Sequence, residues 1–244
     1  MLYKTGVEYG DYTMNHALGC SHGCLYPCYA YLMAKRFGKV ADYKEWCAPK
    51  LVINTLEILN REIPRLKSKI ESVQLCFTTD PFMYGFEEVG KMSMAAIKKL
   101  NDAGIKCTVL TKGLLPIELA DQSPANEYGI TLVSLDEGYR NRVEPGASSY
   151  ADRIAALKAL YDRGCPTWVS VEPYPTPNLI KQDLLAILNT VSFVKKVIFG
   201  RTNYSKEISS FSTHKAFYNQ QVEIVVGFCK ENGINYHIKT GTIT

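Results

Sequence analysis

Short apolar runs rich in β-branched residues alternate along the chain with longer stretches whose apolar positions repeat every three or four residues. The runs Thr13–Leu18, Val73–Thr78, Lys106–Leu110, Ile130–Leu135, Thr167–Glu172, Lys196–Gly200 and Asn235–Lys239 read as strands. They are short and nearly continuous in apolar character, as strands buried on both faces of a parallel sheet are. Between them, Val89, Met92, Ala96, Leu100 and Ala103 fall at helical spacing, and so do Ile154, Leu157 and Leu160.

One junction recurs three times. A helical stretch ends at Gly104, Gly164 or Gly233, and an apolar run follows at once. Glycine just past a helix takes the left-handed conformation that closes it. Turns of this chemistry also arise by chance between any helix and strand. Either way the pattern is α/β with a mainly parallel sheet. Six or seven strands predict a partial (β/α)6-type TIM barrel, with a doubly wound sheet as the competitor. In both, sites gather at the C-terminal ends of the strands. No linker rich in Gly, Pro or Ser divides the chain, so residues 1–244 are expected to form one domain.

Composition narrows the class. Of 244 residues, 46% are hydrophobic and 21% charged, which excludes a disordered chain. The net charge of +4 is too mild to argue for nucleic acid by itself. The opening Met1–Glu8 has no apolar signal core, and no run reaches the ~18 apolar residues of a membrane span. A reducing, cytoplasmic setting without membrane association is therefore expected. In that setting clustered cysteines hold a metal more often than a disulfide.

Eight cysteines are present, and three of them, Cys20, Cys24 and Cys28, fall in a C-x3-C-x3-C loop with Gly19, Gly23 and Pro27. Three thiolates on a compact loop suit an iron–sulfur cluster with one iron left open. A structural zinc would want a fourth ligand; His22 is available, but reaching the same ion from between two cysteines would strain the loop. Inert thiols are the bland alternative, and an exposed glycine-bearing loop is a poor place for them. Cys47, Cys76, Cys107, Cys165 and Cys229 show no second cluster spacing.

The run Gly19-Cys20-Ser21-His22-Gly23-Cys24-Leu25-Tyr26-Pro27-Cys28-Tyr29-Ala30 resembles the cluster loop of radical SAM (S-adenosylmethionine) enzymes, in particular the branch related to spore photoproduct lyase. That branch spaces its cysteines C-x3-C-x2-C, so Pro27 stands as an extra residue and leaves open how Tyr26 packs. The resemblance extends from about Tyr12 to about Ile198. Thr78-Thr79-Asp80-Pro81-Phe82 is similar to a Thr-Asp-Pro-Tyr run whose turn helps hold the SAM amino group. Hydroxyls and a carboxylate at a strand end can accept from an ammonium, although Thr-Asp-Pro is also an ordinary turn. The resemblance further implies SAM contacts for Lys112 and Ser134. Arg153 is implied for the SAM carboxylate, which a guanidinium fork fits, and Glu172 for a ribose hydroxyl or substrate. A solvated lysine and an exposed helix arginine are the alternatives.

By the same resemblance, a 4Fe–4S cluster binds SAM and reductively cleaves it, and the resulting 5′-deoxyadenosyl radical takes hydrogen from a substrate. A reductant such as a flavodoxin or ferredoxin is implied. In spore photoproduct lyase a cysteine on the strand matching that of Cys76 returns hydrogen to the product. Its offset differs here by one residue, which on a strand turns the side chain to the other face and favours a core thiol. Tyr29 and Tyr84 are further radical-relay candidates, with packing as their alternative. The substrate is open: Lys35, Arg36, Lys98, Lys99, Lys195, Lys196 and Arg201 are candidates for a nucleic-acid face. Arg61, Arg65, Lys67 and Lys69 join them, but Arg61, Arg65 and Lys69 fall at the spacing of an ordinary solvated helix face. A non-catalytic iron–sulfur or zinc-binding regulatory module is the competing class. Cys24→Ala is expected to abolish cluster binding while the fold persists, as read by iron and sulfide content beside circular dichroism. Full iron content and SAM cleavage in that variant would remove Cys24 from the ligand set.

Overall fold

The computed structural model describes residues 1–243. In chain order it contains β1 (Tyr3–Lys4), β2 (Tyr12–Met14), β3 (Ala17–Leu18), α1 (Tyr29–Arg36), α2 (Tyr43–Trp46), β4 (Lys50–Leu51), α3 (Thr55–Leu66), β5 (Ser72–Leu75), α4 (Glu87–Asp102) and β6 (Lys106–Thr111). There follow β7 (Glu127–Thr131), α5 (Glu137–Val143), α6 (Tyr150–Asp162), β8 (Thr167–Tyr174), α7 (Leu184–Thr190), β9 (Lys196–Arg201), α8 (Lys206–Ser210), α9 (His214–Glu231) and β10 (Asn235–Ile238).

One eight-stranded sheet runs β1-β2-β5-β6-β7-β8-β9-β10. Every ladder in it is parallel except β1 against β2. This is the partial TIM barrel expected from the strand and helix rhythm. The gap between the sheet's two edges is bridged by side chains. Glu8, in the loop before β2, accepts from His237 Nε2 at 2.8 Å and from the Thr240 N–H. The Tyr9 ring meets His237, Trp168 and Phe77 edge-on.

The core lies between the sheet and its helices. Leu75, Val109, Ile130, Val169 and Val197 from the strands pack against Ala96, Ile97 and Leu100 of α4, Leu157 and Leu160 of α6, and Val225 and Cys229 of α9. The three glycine junctions are the same device. Gly104, Gly164 and Gly233 all have positive φ. In each, the glycine N–H bonds back three residues and the following N–H bonds back five: Ile105 to Leu100, Cys165 to Leu160, Ile234 to Cys229. That pair of bonds is the Schellman closure, which satisfies the last helical carbonyls.

Three predicted strands differ in extent. The run Thr13–Leu18 is broken at Asn15 and His16, and its second half pairs with β4 in a separate two-stranded sheet. Asn15 turns to Thr78 and His16 to Ser93, so local polar bonds win over continuing the ladder. Val73–Thr78 stops at Leu75, because Cys76 is left-handed with φ 57°. Ile130–Leu135 begins earlier, at Glu127, and ends at Thr131. Glu127 is held there by Lys106 on the neighbouring β6 and by Lys196 on β9, two strands away. Gly129 lies under the Trp168 indole, where a Cβ would come within 2.4 Å of the ring.

Among the described residues no helix is long and apolar enough to cross a membrane. Leu100 is fully buried and also supplies the carbonyl that closes its helix. Leu100→Ala is expected to cost about 2–5 kcal/mol, read as a lowered urea midpoint at unchanged slope.

Candidate active site

A cavity of about 710 Å3 opens at the C-terminal ends of the strands. Its wall includes Cys20, Cys24 and Cys28 from the loop after β3, Cys76, Thr78, Thr79 and Asp80 from the turn after β5, Lys112 after β6 and Glu172 on β8. Tyr29 stands at its mouth, half exposed.

The cysteine loop is held by backbone contacts from three directions. Cys20 N–H donates to Trp46 O at 2.8 Å, Leu25 N–H to Val143 O, and Gly146 N–H to His22 O. Gly19 has φ 89°, and a Cβ there would lie 2.6 Å from Trp46 O. The buried His22 braces the loop as well. Its Nε2 accepts the Tyr84 N–H at 3.1 Å, so that nitrogen carries no proton and Nδ1–H faces Asp80 Oδ2 at 3.5 Å. Both ring nitrogens are thus engaged, which takes His22 out of contention as a fourth metal ligand.

The three thiols are free and half-buried. Burial pushes all of them up, Cys24 to about 12 even though the Lys112 ammonium opposes the shift. Thiols so placed give up their protons to a metal that supplies the missing positive charge. Among the described residues no three His, Cys, Asp or Glu side chains converge on one ion. A cluster asks for something else, one thiolate on each of several irons. Three unbridged thiols on one cavity wall fit that donor set.

Behind the loop lies a buried charge network. Glu144 and Arg153 are fully buried, and Arg153 Nη2 meets Glu144 Oε2 at 2.8 Å. Lys112 Nζ approaches Glu144 Oε1 at 3.2 Å and Cys24 Sγ at 3.8 Å. Tyr26 donates to Glu144 at 3.0 Å, and Lys112 both touches its hydroxyl and sits over its ring. That contact is how Tyr26 packs despite the extra Pro27. Burial alone would raise Glu144, but Lys112 and Arg153 outweigh it and hold the carboxyl low. Burial likewise works against the Lys112 charge, and Cys24 and Glu144 outweigh it.

Residues 14–191 match the radical SAM superfamily. The chain belongs to the radical SAM superfamily. It is 27% identical over 179 residues to an uncharacterised protein of Methanocaldococcus jannaschii, covering 72% of this chain and 64% of that one. With an uncharacterised protein of Mycobacterium tuberculosis it shares 30% over 173 residues, covering 66% and 49%. The chain thus spans about half to two-thirds of these relatives. Its fold is similar to that of spore photoproduct lyase with bound AdoMet and dinucleoside spore photoproduct (TM-score 0.71, 14% identity, 98% of this chain and 78% of that one). It is also similar to that of SuiB from Streptococcus suis bound to S-adenosylmethionine (TM-score 0.55, 14% identity, 74% and 41%). Membership brings with it SAM and an iron–sulfur cluster as the cofactors.

Within this radical SAM fold, three sequence candidates lie away from the cavity. Arg153 directs one N–H of each nitrogen at Ser148 O, Thr131 O and Glu144, and it is fully buried outside the cavity wall, so it positions Glu144; nor is it an exposed helix arginine. Ser134 is buried beyond the end of β7 and accepts the Asp136 N–H. The Tyr84 ring is exposed, and only its backbone braces the loop, through His22 and Ser21. Asp80 lines the cavity, but its oxygens accept from Phe82 N–H, Thr111 Oγ1 and Lys112 N–H. It shapes the turn. Among the cavity residues, Thr79 is the one whose buried hydroxyl has no nitrogen or oxygen partner; its Oγ1 is buried against the Cys76 thiol. Glu172 faces the cavity with Lys239 at 3.8 Å, and burial raises its carboxyl despite that lysine.

Cys76 is buried, as expected of a core thiol, and it also lines the cavity. The alternation that would turn it into the core ends one residue earlier, at Leu75. Its Sγ lies 3.5 Å from His16 Nδ1. Ser93 donates its hydroxyl proton to Pro81 O at 2.6 Å, so His16 Nε2, 2.8 Å from Ser93 Oγ, must donate to it. Nδ1 is then the acceptor, and the thiol S–H is aimed at it. Sequence reasoning missed His16; Glu144 stands in a Glu-Pro pair that resembles the relatives', but the sequence assigns it no role. The signal for His16 was a histidine interrupting an apolar run.

Removing Arg153 leaves Glu144 with one buried cation. Arg153→Ala is therefore expected to destabilise the fold by about 3–5 kcal/mol, measured by denaturant titration. Unchanged stability with lost SAM binding would instead make Arg153 a cofactor ligand.

Proposed function

We propose that this chain acts as one radical SAM domain, holding a 4Fe–4S cluster through Cys20, Cys24 and Cys28 and SAM beside it, to begin radical chemistry on a substrate that enters the cavity mouth. The observation that carries this reading is the shared wall. Three unbridged thiols, a buried ammonium and an unpartnered hydroxyl face one cavity at the strand ends. When bound, cluster and SAM together supply a 5′-deoxyadenosyl radical able to take a hydrogen atom from an unreactive carbon.

The chain's own residues orient and enclose. Thr79 offers its free hydroxyl to the SAM amino group, with Thr78 fixed beside it on Asn15. Lys112, held protonated by Glu144, is the cation for the SAM carboxylate. Glu172 accepts from a ribose or substrate hydroxyl. Cys76 is the thiol placed to return hydrogen: burial pushes it to about 12, so its proton stays on sulfur. Tyr29 at the mouth is the remaining relay candidate. Lys4, Arg201 and Lys239 line the outer cavity with Tyr3 and Tyr204, a set of cations for phosphates and rings for stacking that supports a nucleotide-bearing substrate. A flavodoxin or ferredoxin supplies the electron, and a reducing cytoplasm keeps the thiols free.

Anaerobic reconstitution with iron and sulfide tests the reading. The expected result is ~4 Fe per chain and, with dithionite and SAM, release of 5′-deoxyadenosine. Thr79→Val and Lys112→Met are expected to raise the KM for SAM by about tenfold, equivalent to ~1.4 kcal/mol, while Cys76→Ala leaves uncoupled cleavage intact. Zinc bound tightly without SAM binding would overturn the enzyme reading in favour of a regulatory metal module.

A further inference from the structure

The surface around the cysteine loop differs from that of α4 and α6. There, exposed lysines stand one turn from an acid: Lys91 by Glu87, Lys98 by Asp102, Lys158 by Asp162. Around α1 that balance is missing. From Leu25 to Ala41 there is no Asp or Glu. Lys35, Arg36 and Lys39 are all exposed, and among the described residues none of the three has an ion-pair partner.

The same segment exposes large apolar side chains. Leu25, Tyr29, Leu32 and Phe37 are 64%, 54%, 40% and 65% exposed. Tyr29, Leu32 and Arg36 recur at helical spacing, so the apolar and basic groups share one stripe. Ala34 is the one residue that α1 buries. The residue that starts this helix is Cys28, its N-cap. Eight residues of helix span only ~12 Å, so the whole stripe hangs within that distance of a cluster cysteine.

We infer that the α1 stripe is the docking surface for the reductant, a small acidic one-electron carrier protein of the flavodoxin or ferredoxin class. The inference rests on the cluster reading above. An apolar centre with a charged rim is the anatomy of a transient protein interface, and unneutralised cations steer an acidic partner to it. A nucleic-acid interface is more polar and far more positive, and Leu25 and Leu32 offer nothing to a phosphate. The exchange at this surface is simple. The carrier is oxidised by one electron, the cluster is reduced by one, no bond forms or breaks, and no proton moves.

The test uses the full chain, both apo and reconstituted, with a flavodoxin as probe. Wild-type chain is expected to bind it in both forms, with an affinity that falls as salt rises from about 50 to about 300 mM. Lys35→Glu combined with Arg36→Glu is expected to weaken Kd at least about tenfold, and Phe37→Ser by a smaller factor that does not depend on salt. Flavodoxin-driven reduction of the cluster, read by loss of its visible absorbance, should slow by the same factors. Reduction by dithionite, iron content and the unfolding midpoint should not change. Variants that bind and accept electrons like wild type overturn the proposal. So does absence of salt-sensitive binding to both a flavodoxin and an acidic ferredoxin, self-association through the stripe that the variants abolish, or tighter binding of a single-stranded oligonucleotide to it. A wild-type chain whose cluster dithionite cannot reduce overturns the cluster reading itself, and the docking proposal with it.

Discussion

The site is organised around one buried carboxylate. Glu144 has no access to solvent, yet it keeps its charge because Arg153 and Lys112 take one oxygen each. Each partner belongs to a different part of the fold: Arg153 to α6, Lys112 to the end of β6, and Tyr26, which shares the second oxygen, to the cysteine loop. A pair buried this deeply contributes little net stability compared with well-packed apolar residues, while breaking it on one side is costly. Its contribution is position. It fixes the ammonium beside Cys24 and pins a loop whose own sequence, with Gly19, Gly23 and Pro27, has little inherent shape.

The loop's other supports follow the same logic. Gly146, two residues beyond Glu144, approaches Ser21 so closely that a Cβ would lie 2.3 Å from its carbonyl oxygen. Asp80 gathers the Phe82 N–H, the Thr111 hydroxyl and the Lys112 N–H and faces His22. The polar side chains behind the cavity thus satisfy one another. Those left for a ligand are few: the three thiols, Thr79, Glu172 and Cys76, with Lys112 able to turn to one by giving up its contact with Cys24 or Tyr26.

The strand and helix rhythm was legible in the sequence because it rests on local chemistry, apolar period and left-handed glycines, that a single segment carries. The cysteine loop was legible for the same reason. What escaped were decisions made between segments. Arg153 has the right chemistry for a carboxylate ligand, but only the arrival of Glu144 from another loop decides which carboxylate it meets. Glu127 begins a strand where two lysines from other strands, Lys106 of β6 and Lys196 of β9, neutralise it, which no propensity records. Cys76 defeated the alternation argument because that argument assumes extended backbone, and its φ of 57° departs from it by one residue. Ser134 fell outside the cavity once β7 was seen to end at Thr131.

The bridge from Glu8 to His237 and Thr240 has a consequence for how the molecule comes together. It joins positions 229 and 232 residues apart, nearly the full length of the chain, and closure entropy makes such contacts the last to form. Tyr9 and Lys239, which line the cavity on that side, flank this bridge. The cysteine loop is braced by residues no later than Gly146, through contacts that close shorter stretches of chain. The two walls of the cavity thus differ in the closure entropy they demand, lower for the wall that carries the thiols and higher for the one that faces them.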